Sequence, residues 1–202
     1  MHYDIVIIGA GPAGASAGIF AARAKKNVLI LDEDNSGTKK AWIDNHYAVM
    51  GMTGYDVFET GKKQAEKFGA KLLTTKVLNL VPVADDCSEQ DKAAQEGTAG
   101  RFRLTTEDGV FDASIVMMAS GSSKELAKSL DMKMKKGSEP GTGMVIDVDA
   151  EGRTSIPGIW AAGLCTGSSM HVAVTAGDGA RTAIHILSEM NGKRHVDHDM
   201  MC

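Results

Sequence analysis

Apolar runs of strand length alternate with helical stretches along the first third of the chain. Tyr3–Ile8 and Val28–Leu31 are almost continuously hydrophobic, as expected of strands that are buried on both faces of a parallel sheet. Between them, Ala13–Ala24 consists mainly of small residues that suit a closely packed helix. Thr53–Phe68 then has apolar side chains near helical spacing and a polar opposite face. The pattern predicts a βαβ unit followed by a further helix.

The rest of the chain alternates between short strands, polar connections and one long helix. Arg101–Thr106 and Val110–Ala113 predict a hairpin, and Ile115–Ala119 predicts another buried strand. The remaining predicted segments are Leu72–Val83 (two short strands or one bent strand), Ala84–Gly100 (an exposed loop or hairpin tip), Lys124–Lys136 (a solvated helix face), Gly137–Gly143 (a break), the strands Met144–Val148 and Ile159–Ala162, and the helix Val172–Met190. We therefore predict an α/β fold, a doubly wound Rossmann-like domain with a small antiparallel β-meander inserted before the strand that ends at Ala119.

Composition and charge argue against several classes of partner. The formal net charge is −4 and no long basic run occurs, so the electrostatic footprint of a nucleic-acid-binding protein is missing. The uncharged stretch Ile5–Ala22 contains four glycines, which neither a signal peptide nor a membrane span requires. Cys87, Cys165 and Cys202 lie far apart, which favours neither a disulfide framework nor a zinc site. We expect a protein of the reducing cytoplasm that binds neither nucleic acid nor membrane.

Gly9, Gly11, Pro12, Ala13 and Gly14 belong to a glycine-rich turn between the first strand and the first helix. The spacing fits G-x-G-x-x-G, in which the first glycine permits the tight turn and the second leaves room for a pyrophosphate. The third glycine lets the helix and the strand pack closely. The helix N-terminus offers free N–H groups and partial positive charge to the phosphates. The turn predicts a dinucleotide site, and a glycine turn that serves packing alone is the alternative.

An acidic pair follows the second strand, at the place where dinucleotide-binding folds hold a ribose. Asp32 stands at the end of that strand with Glu33 beside it, and a carboxylate there accepts hydrogen bonds from ribose hydroxyls. No arginine stands next to Asp32, which argues against a 2′-phosphate. The residues by themselves leave FAD and NAD open.

Five separated segments carry motifs that agree in their order along the chain. They are Tyr3–Gly14, Lys63–Ala70, Ile115–Gly121, Thr154–Gly163 and Met170–Gly179. Together they resemble the low-molecular-weight thioredoxin reductases and their relatives among the pyridine nucleotide-disulfide oxidoreductases. The resemblance covers about residues 3–121 and 142–192, and it favours FAD over NAD as the ligand.

The resemblance implies contacts to FAD beyond the glycine turn and the acidic pair. Val77 would meet adenine through its backbone, and the last helix would direct its positive N-terminus at the pyrimidine end of the isoalloxazine. Asn45 resembles the asparagine of a flavin-facing loop, with a surface turn as the alternative, and His171 is either a flavin donor or a simple helix-start residue. The further residues that the resemblance places at the cofactor are Thr38, Asn45, Val77, Ala119, Ser120, Gly121, Gly163, Leu164, His171, Val172 and Thr175.

The chain also departs from the family that it resembles. Only about twenty residues join Gly121 to Met144, where thioredoxin reductases insert an NADPH domain, and no second glycine fingerprint occurs. The Cys-x-x-Cys of that domain is missing too, so disulfide reduction is not implied. Leu164 stands where the family has an aspartate that binds a ribitol hydroxyl, and losing such a bond costs about 1.5–3 kcal/mol of cofactor affinity.

The prediction for the whole chain is one FAD-binding domain over residues 1–202. Residues 1–121 and 142–192 form its nucleotide-binding fold, 122–141 are a linker in place of the NADPH domain, and 193–202 are a tail. The function predicted is a flavoprotein oxidoreductase that passes electrons between an external reductant, NAD(P)H or a protein, and a redox partner protein. A non-catalytic FAD- or nucleotide-binding sensor or subunit, and a flavoenzyme for a small substrate, remain alternatives. The resemblance also implies a homodimer.

Two further features carry little chemistry. Cys165 has no activating partner in the sequence and is expected to be a small buried hydrophobe. His195–Cys202 contains side chains of metal-ligand type, but chain ends are seldom ordered and we predict no specific metal site there. The pattern indicates no general acid or base.

Overall fold

The computed structural model describes residues 1–83, 101–139 and 141–197 of the chain. Its helices are α1 (Pro12–Arg23), α2 (Gly54–Lys67), α3 (Glu125–Ser129) and α4 (Val172–Met190). Its strands are β1 (His2–Ile8), β2 (Val28–Asp32), β3 (Trp42–Ile43), β4 (Met52–Thr53), β5 (Lys71–Thr74), β6 (Val77–Val83), β7 (Arg101–Thr106), β8 (Gly109–Met118), β9 (Met134–Lys136), β10 (Met144–Ile146) and β11 (Ile159–Ala161). Short 3₁₀ turns lie at Gly37–Lys40 and Gly163–Thr166.

Seven of the described strands form one sheet in the order β5-β2-β1-β8-β7-β6, with β11 paired to β8. β1 runs parallel to its neighbours β2 and β8, so that Ile7 stands opposite Ile30 and Met117. All three side chains are fully buried, as a strand covered on both faces requires. The predicted doubly wound, Rossmann-like α/β fold is confirmed, and β6, β7 and β8 form the predicted antiparallel meander.

Small residues allow α1 to pack closely against the glycine turn below it and against α4. A Cβ on Gly14 would overlap with the carbonyl oxygen of Gly9. On the other side of α1, a Cβ on Gly179 of α4 would overlap with the carbonyl group of Ala13. Backbone therefore meets backbone on two sides of α1, and this packing fixes the position of its N-terminus.

Strand β8 corrects the predicted pattern in the middle of the chain. The sequence predicted separate strands at Val110–Ala113 and Ile115–Ala119, whereas the structure has one continuous strand of ten residues. β1 pairs with residues on both sides of Ser114, and this shared pairing keeps the chain extended through it. β7 then pairs with the first half of β8 and β11 with the second half, so one strand joins the meander to the parallel sheet.

The segment between β8 and β10 is less helical than predicted. The sequence predicted a helix face over Lys124–Lys136, but α3 comprises only five residues. Asp131 has a φ of +50°, a left-handed conformation that an α-helix does not continue through. The chain then forms the β9–β10 hairpin, in which Lys133 and Lys135 both pair with Asp147 at 3.0 and 3.1 Å.

Other predicted elements agree with the structure to within two residues at their ends, and Leu72–Val83 resolves into the two strands β5 and β6. The β3–β4 hairpin was not predicted, because strands of two residues leave no periodic pattern. The predicted loop Ala84–Gly100 lies outside the described residues.

Across residues 1–83, 101–139 and 141–197, each helix is too short or too polar to cross a membrane.

The close crossing of α1 and α4 generates a stability prediction. Gly179→Ala should lower the free energy of unfolding by about 1–3 kcal/mol, because the added methyl group meets backbone that cannot give way. Gly177→Ala on the same helix is the matched control, since a Cβ there meets nothing within 4 Å. The control should be neutral, or more stable by up to about 1 kcal/mol through helix propensity. Urea denaturation measures both, and equal effects would refute the close-packing account.

Candidate nucleotide-binding cleft

A cleft of about 600 Å³ opens at the carboxyl ends of β1, β2, β8 and β11. This end of a parallel sheet is where open α/β folds bind their ligands. The glycine turn after β1 and the residues that follow β2, β8 and β11 line it, and the first residues of α1 and α4 complete the walls. The volume lies in the range of small-molecule and cofactor sites.

The glycine turn is closed on one side and open on the other. Gly9 has a φ of +103° and donates its N–H to the carbonyl of Leu31 at 2.7 Å. A Cβ on Gly9 would overlap with the carbonyl oxygen of Ala119, so the turn is pressed against the end of β8. Gly11, by contrast, has extended backbone and faces the cleft, where a Cβ would meet only Ser36 Oγ, at 3.5 Å, among the described residues. The open side of the turn is thus backbone that a ligand can approach closely.

Helix α1 begins directly at this open side. Pro12 is its first residue, and no side chain of the described residues caps its N-terminus. The amides of Ala13 and Gly14 lie in the first turn, where an α-helix supplies no intrahelical acceptor. The helix therefore presents free N–H groups and the positive end of its dipole at the turn, which together suit an anionic group.

Asp32 connects the end of β2 to the glycine turn. One of its carboxylate oxygens accepts the N–H of Ala10 at 2.7 Å, and the other accepts the N–H of Asp34 at 2.9 Å. The residue is only 6% exposed, yet it also lines the cleft. Each carboxylate oxygen retains a free lone pair, so the observed bonds leave capacity for the predicted ribose contact.

The segment after Asp32 is fastened to α2 by two lysines. Lys39 contacts the Asp34 carboxylate at 2.7 Å and Lys62 contacts it at 3.6 Å. The hydrogen bond from Lys39 holds the pKa of the Asp34 carboxyl below its ordinary value, against the opposing effect of burial. Both ammonium groups also lie over the Phe58 ring, at 4.7 and 4.8 Å from its centre. These contacts fix the path of the chain between β2 and β3 along the cleft.

Helix α4 directs a second N-terminus at the cleft. His171 is its N-cap residue and lines the cleft, and its Nδ1 lies 2.8 Å from Ser169 Oγ. The Thr175 hydroxyl donates within the helix, with the carbonyls of His171 and Val172 at 3.1 and 3.2 Å. Thr175 also lines the cleft, and because its hydroxyl proton is used inside α4, the hydroxyl oxygen can act towards a ligand only as an acceptor.

Asp178 organises the loop between β11 and α4 from behind the cleft. Its carboxylate accepts the N–H of Gly163 at 2.7 Å, the hydroxyl of Ser168 at 2.6 Å and a guanidinium N–H of Arg181 at 2.7 Å. Burial raises the pKa of Asp178, but these hydrogen bonds outweigh it and hold the pKa below its ordinary value. Leu164, next to Gly163, lines the cleft. Asp178 therefore holds this loop in place and is not itself part of the cleft lining.

The structure brings most of the predicted cofactor residues together in this cleft. Those that line it are Gly9, Gly11, Pro12, Ala13, Asp32, Glu33, Thr38, Asn45, Val77, Ala119, Ser120, Gly121, Leu164, His171, Val172 and Thr175. Gly14 and Gly163 do not belong to the lining. Gly14 packs on the backbone of Gly9, and a Cβ on Gly163 would lie 2.8 Å from the Ala13 side chain. The missing side chains of both glycines allow the segments that form the cleft to pack closely against each other.

Several lining residues were missed by the sequence analysis. They are Ser36, Trp42, Lys76, Ser122, Ser123 and Met170, among others. None of them belongs to a motif of fixed spacing, and they come from connections whose path depends on packing elsewhere. Trp42 carried one available signal, since it is one of only two tryptophans in the chain and follows the polar segment Gly37–Lys40.

Cys165 lies beneath the cleft and is sealed off from it. The thiol is fully buried and donates to the carbonyls of Met118 and Ala162, at 3.4 and 3.2 Å. Burial raises the pKa of the Cys165 thiol to about 11. A thiol with this pKa is almost wholly protonated at neutral pH, so Cys165 is a packing residue and not a nucleophile.

Sequence comparison matches the first half of this architecture to a known family. Residues 3–94 match the family model described as pyridine nucleotide-disulphide oxidoreductase. The thioredoxin reductase of Aquifex aeolicus is 32% identical over 131 residues, which cover 62% of this chain and 36% of that protein. That of Treponema pallidum is 30% identical over 123 residues, which cover 59% of this chain and 35% of that protein.

The chain is similar in sequence to the thioredoxin reductases over about 60% of its length. The resemblance seen in the sequence motifs is thereby confirmed, and the chain spans little more than a third of the length of these curated relatives. Solved structures extend the likeness of fold. A thioredoxin reductase from Gloeobacter violaceus has a TM-score of 0.76 at 18% identity and covers 100% of this chain and 99% of that one. The atypical thioredoxin reductase of Desulfovibrio vulgaris Hildenborough has a TM-score of 0.70 at 22% identity, with 94% and 98% covered.

The hydrogen bonds of Asp178 predict that the stability of the protein depends on pH. The folded-state pKa lies below the ordinary value of 3.8, so the contribution of Asp178 is present above that pH. It is lost as the pH falls through the lower folded-state pKa. Asp178→Asn should cost about 1–3 kcal/mol of unfolding free energy at pH 7, because the amide cannot accept from all three donors.

Chemical denaturation at pH 7 and at successively lower pH tests this expectation. The difference between the parent protein and Asp178→Asn should shrink as the solution becomes acidic. Asp44→Asn, at an exposed carboxylate, is the control and should show little effect at any pH. A difference for Asp178→Asn that stays constant down to the lowest pH at which the protein folds would contradict the assignment.

Proposed function

We propose that the cleft binds FAD and that the protein is a flavoprotein oxidoreductase. The observation that carries this proposal is the open glycine turn at the N-terminus of α1, with the buried carboxylate of Asp32 beside it. Amides and a positive helix end suit a diphosphate, and the adjacent carboxylate suits a ribose. The relationship to the thioredoxin reductases supports FAD as the nucleotide, in preference to NAD.

The residues present fit this cofactor. Gly11 keeps free the space that a diphosphate needs. The lining of the cleft extends beyond the turn to Asp32 and Val77, and also to Leu164 and the start of α4. A ligand with a central diphosphate and a ring system at each end matches such a cleft. Leu164 offers no hydrogen bond to a ribitol, so the contacts on that side come from backbone and from neighbouring residues.

Each wall of the cleft would hold a different part of FAD. The amides at the mouth of α1 would bind the diphosphate, Asp32 would accept from the adenosine ribose, and the backbone of Val77 would meet adenine. The N-terminus of α4 would lie at the isoalloxazine, where its partial positive charge favours a negative group. When bound, FAD supplies a carrier that accepts electrons from one molecule and passes them to another.

The electron donor in this proposal comes from outside the described fold. The segment between β8 and β10 forms α3 and the β9–β10 hairpin, which are too small to bind a second dinucleotide. Free NAD(P)H or a separate protein would therefore reduce the flavin, and a redox partner protein would receive the electrons. The nearest thiol in the described cleft region is the buried Cys165, which supports electron transfer without a disulfide in this part of the chain.

A homodimer in a reducing cytoplasm is part of the same proposal. The loop between β3 and β4 exposes Tyr47 and Met50 almost completely, at 93% and 98%. Large apolar side chains in such a position support an interface, because their burial against a partner is favourable. Sedimentation at micromolar concentration measures the oligomeric state, and a monomer would remove this part of the proposal.

Reconstitution with FAD tests the cofactor assignment. The purified protein should be yellow or should take up FAD with a stoichiometry near one, and NADH or NADPH should bleach the visible band. Gly11→Ala should weaken FAD binding at least about tenfold, because the methyl group occupies the diphosphate space. The variant should keep its fold, since Gly11 has ordinary extended backbone and a Cβ there clashes with nothing.

Gly177→Ala is the control for the binding experiment, because it adds a methyl group outside the cleft lining. Its FAD affinity should equal that of the parent protein. A parent protein that stays colourless after incubation with excess FAD would sink the proposed function. FAD binding that is unchanged by Gly11→Ala would show that the diphosphate lies elsewhere.

A further inference from the structure

Trp42 is an exposed indole in the wall of the cleft. The residue is 64% exposed and lines the cleft, while Trp160, the other tryptophan of the chain, is 1% exposed in the core. Ile43, its neighbour in β3, is buried, so the alternation of the strand anchors one side chain and leaves the other outside. A large aromatic surface left in water beside a ligand cleft is most simply explained by a ligand that covers it.

The ring is supported from behind by backbone. β3 pairs with β4, which places Trp42 opposite Thr53 and brings the chain back past the indole. A Cβ on Gly51 would lie 3.1 Å from Cζ2 of the Trp42 ring, and Gly51 has a φ of +67°. The absence of a side chain at Gly51 thus makes room for the indole against the hairpin backbone. A flat ring held in this way is preorganised to stack on another ring.

When the chain is followed from the end of β2, it passes the glycine turn before it reaches Trp42. After Asp32 the chain passes Gly11, where Ser36 Oγ stands 3.5 Å from the position of a Cβ. It then makes the 3₁₀ turn Gly37–Lys40, packs at Thr38 against the start of α2, and reaches Trp42. A ligand with its diphosphate at Gly11 and its adenosine at Asp32 therefore has its second ring system on the side to which this segment leads.

Few ring-bearing residues are available on that side. Among the described residues that line the cleft, only Trp42 and His171 carry an aromatic ring. The imidazole of His171 is already engaged with the Ser169 hydroxyl at 2.8 Å, whereas the Trp42 indole makes no hydrogen bond within the part of the chain that the structure describes. An indole is also the larger stacking surface, close in size to a flat polycyclic ligand.

We propose that the Trp42 indole stacks on the isoalloxazine ring of FAD, an inference that rests on the proposed function. Stacking of a base on an aromatic side chain typically changes affinity by roughly tenfold or more. The indole therefore sets the affinity for the flavin end of the ligand and leaves the ADP end unaffected. It also places an efficient quencher of flavin fluorescence against the ring.

Three variants test the stacking assignment. Trp42→Ala should weaken FAD binding about tenfold and change ADP binding less than about twofold. Trp42→Phe should retain most of the FAD affinity, because it keeps a ring at the same place, but the bound flavin should become brighter. Tyr55→Ala is the matched control, since Tyr55 is an exposed aromatic residue of α2 that does not line the cleft. It should change neither affinity nor emission.

Calorimetric titration with FAD and with ADP, together with emission spectra of the bound flavin, distinguishes the outcomes. If the parent protein binds no FAD, the proposed function fails and this inference fails with it. If the parent binds FAD and Trp42→Ala binds it equally well, the stacking assignment alone is overturned. If Trp42→Ala weakens the binding of FAD and of ADP equally, the indole lies at adenine, and the stacking assignment is overturned as well.

Discussion

The hydrogen bond from the Ala10 amide to the Asp32 carboxylate is the contact on which the cleft depends. It ties the turn after β1 to the end of β2 at 2.7 Å, next to the bond from Gly9 N–H to the Leu31 carbonyl. Asp32 is buried, and the backbone amides of Ala10 and Asp34 and the nearby N-terminus of α1 stabilise its charge, with an electrostatic contribution from Lys62. The same contact fixes where the α1 amides point, and therefore where an anion can bind.

A second carboxylate, that of Asp178, holds another wall of the cleft in place by hydrogen bonds. Asp178 lies on α4 and pulls the loop after β11 towards its own helix by bonding Gly163 and Ser168. The close crossing of α4 and α1 brings Gly179 against Ala13 at the start of α1, and the first residues of both helices line the same cleft. Two positive helix ends and one buried carboxylate thus line the cleft in which we propose that FAD binds.

Sequence reasoning predicted what depends on short-range pattern. The buried strands, the glycine turn and the carboxylate at Asp32 all follow from spacing within a few residues, and the structure brings them together. It failed where pairing between distant segments decides the outcome. The continuity of β8 through Ser114 depends on its pairing with β1, and the exposed indole of Trp42 is positioned by the pairing of the two-residue strand β3 with β4. It also missed the end of α3, where the left-handed conformation of Asp131 is local but has no sequence signal of its own.

If the amides at the mouth of α1 bind the diphosphate of FAD, the resonances of those amides must respond to the ligand. In a titration of ¹⁵N-labelled protein with FAD, we expect large, saturable shifts of the Gly11, Ala13 and Gly14 resonances. Amides of the β9–β10 hairpin, far along the chain from the turn, should move little. Saturable FAD binding that leaves the Gly11, Ala13 and Gly14 amides unchanged would contradict the account.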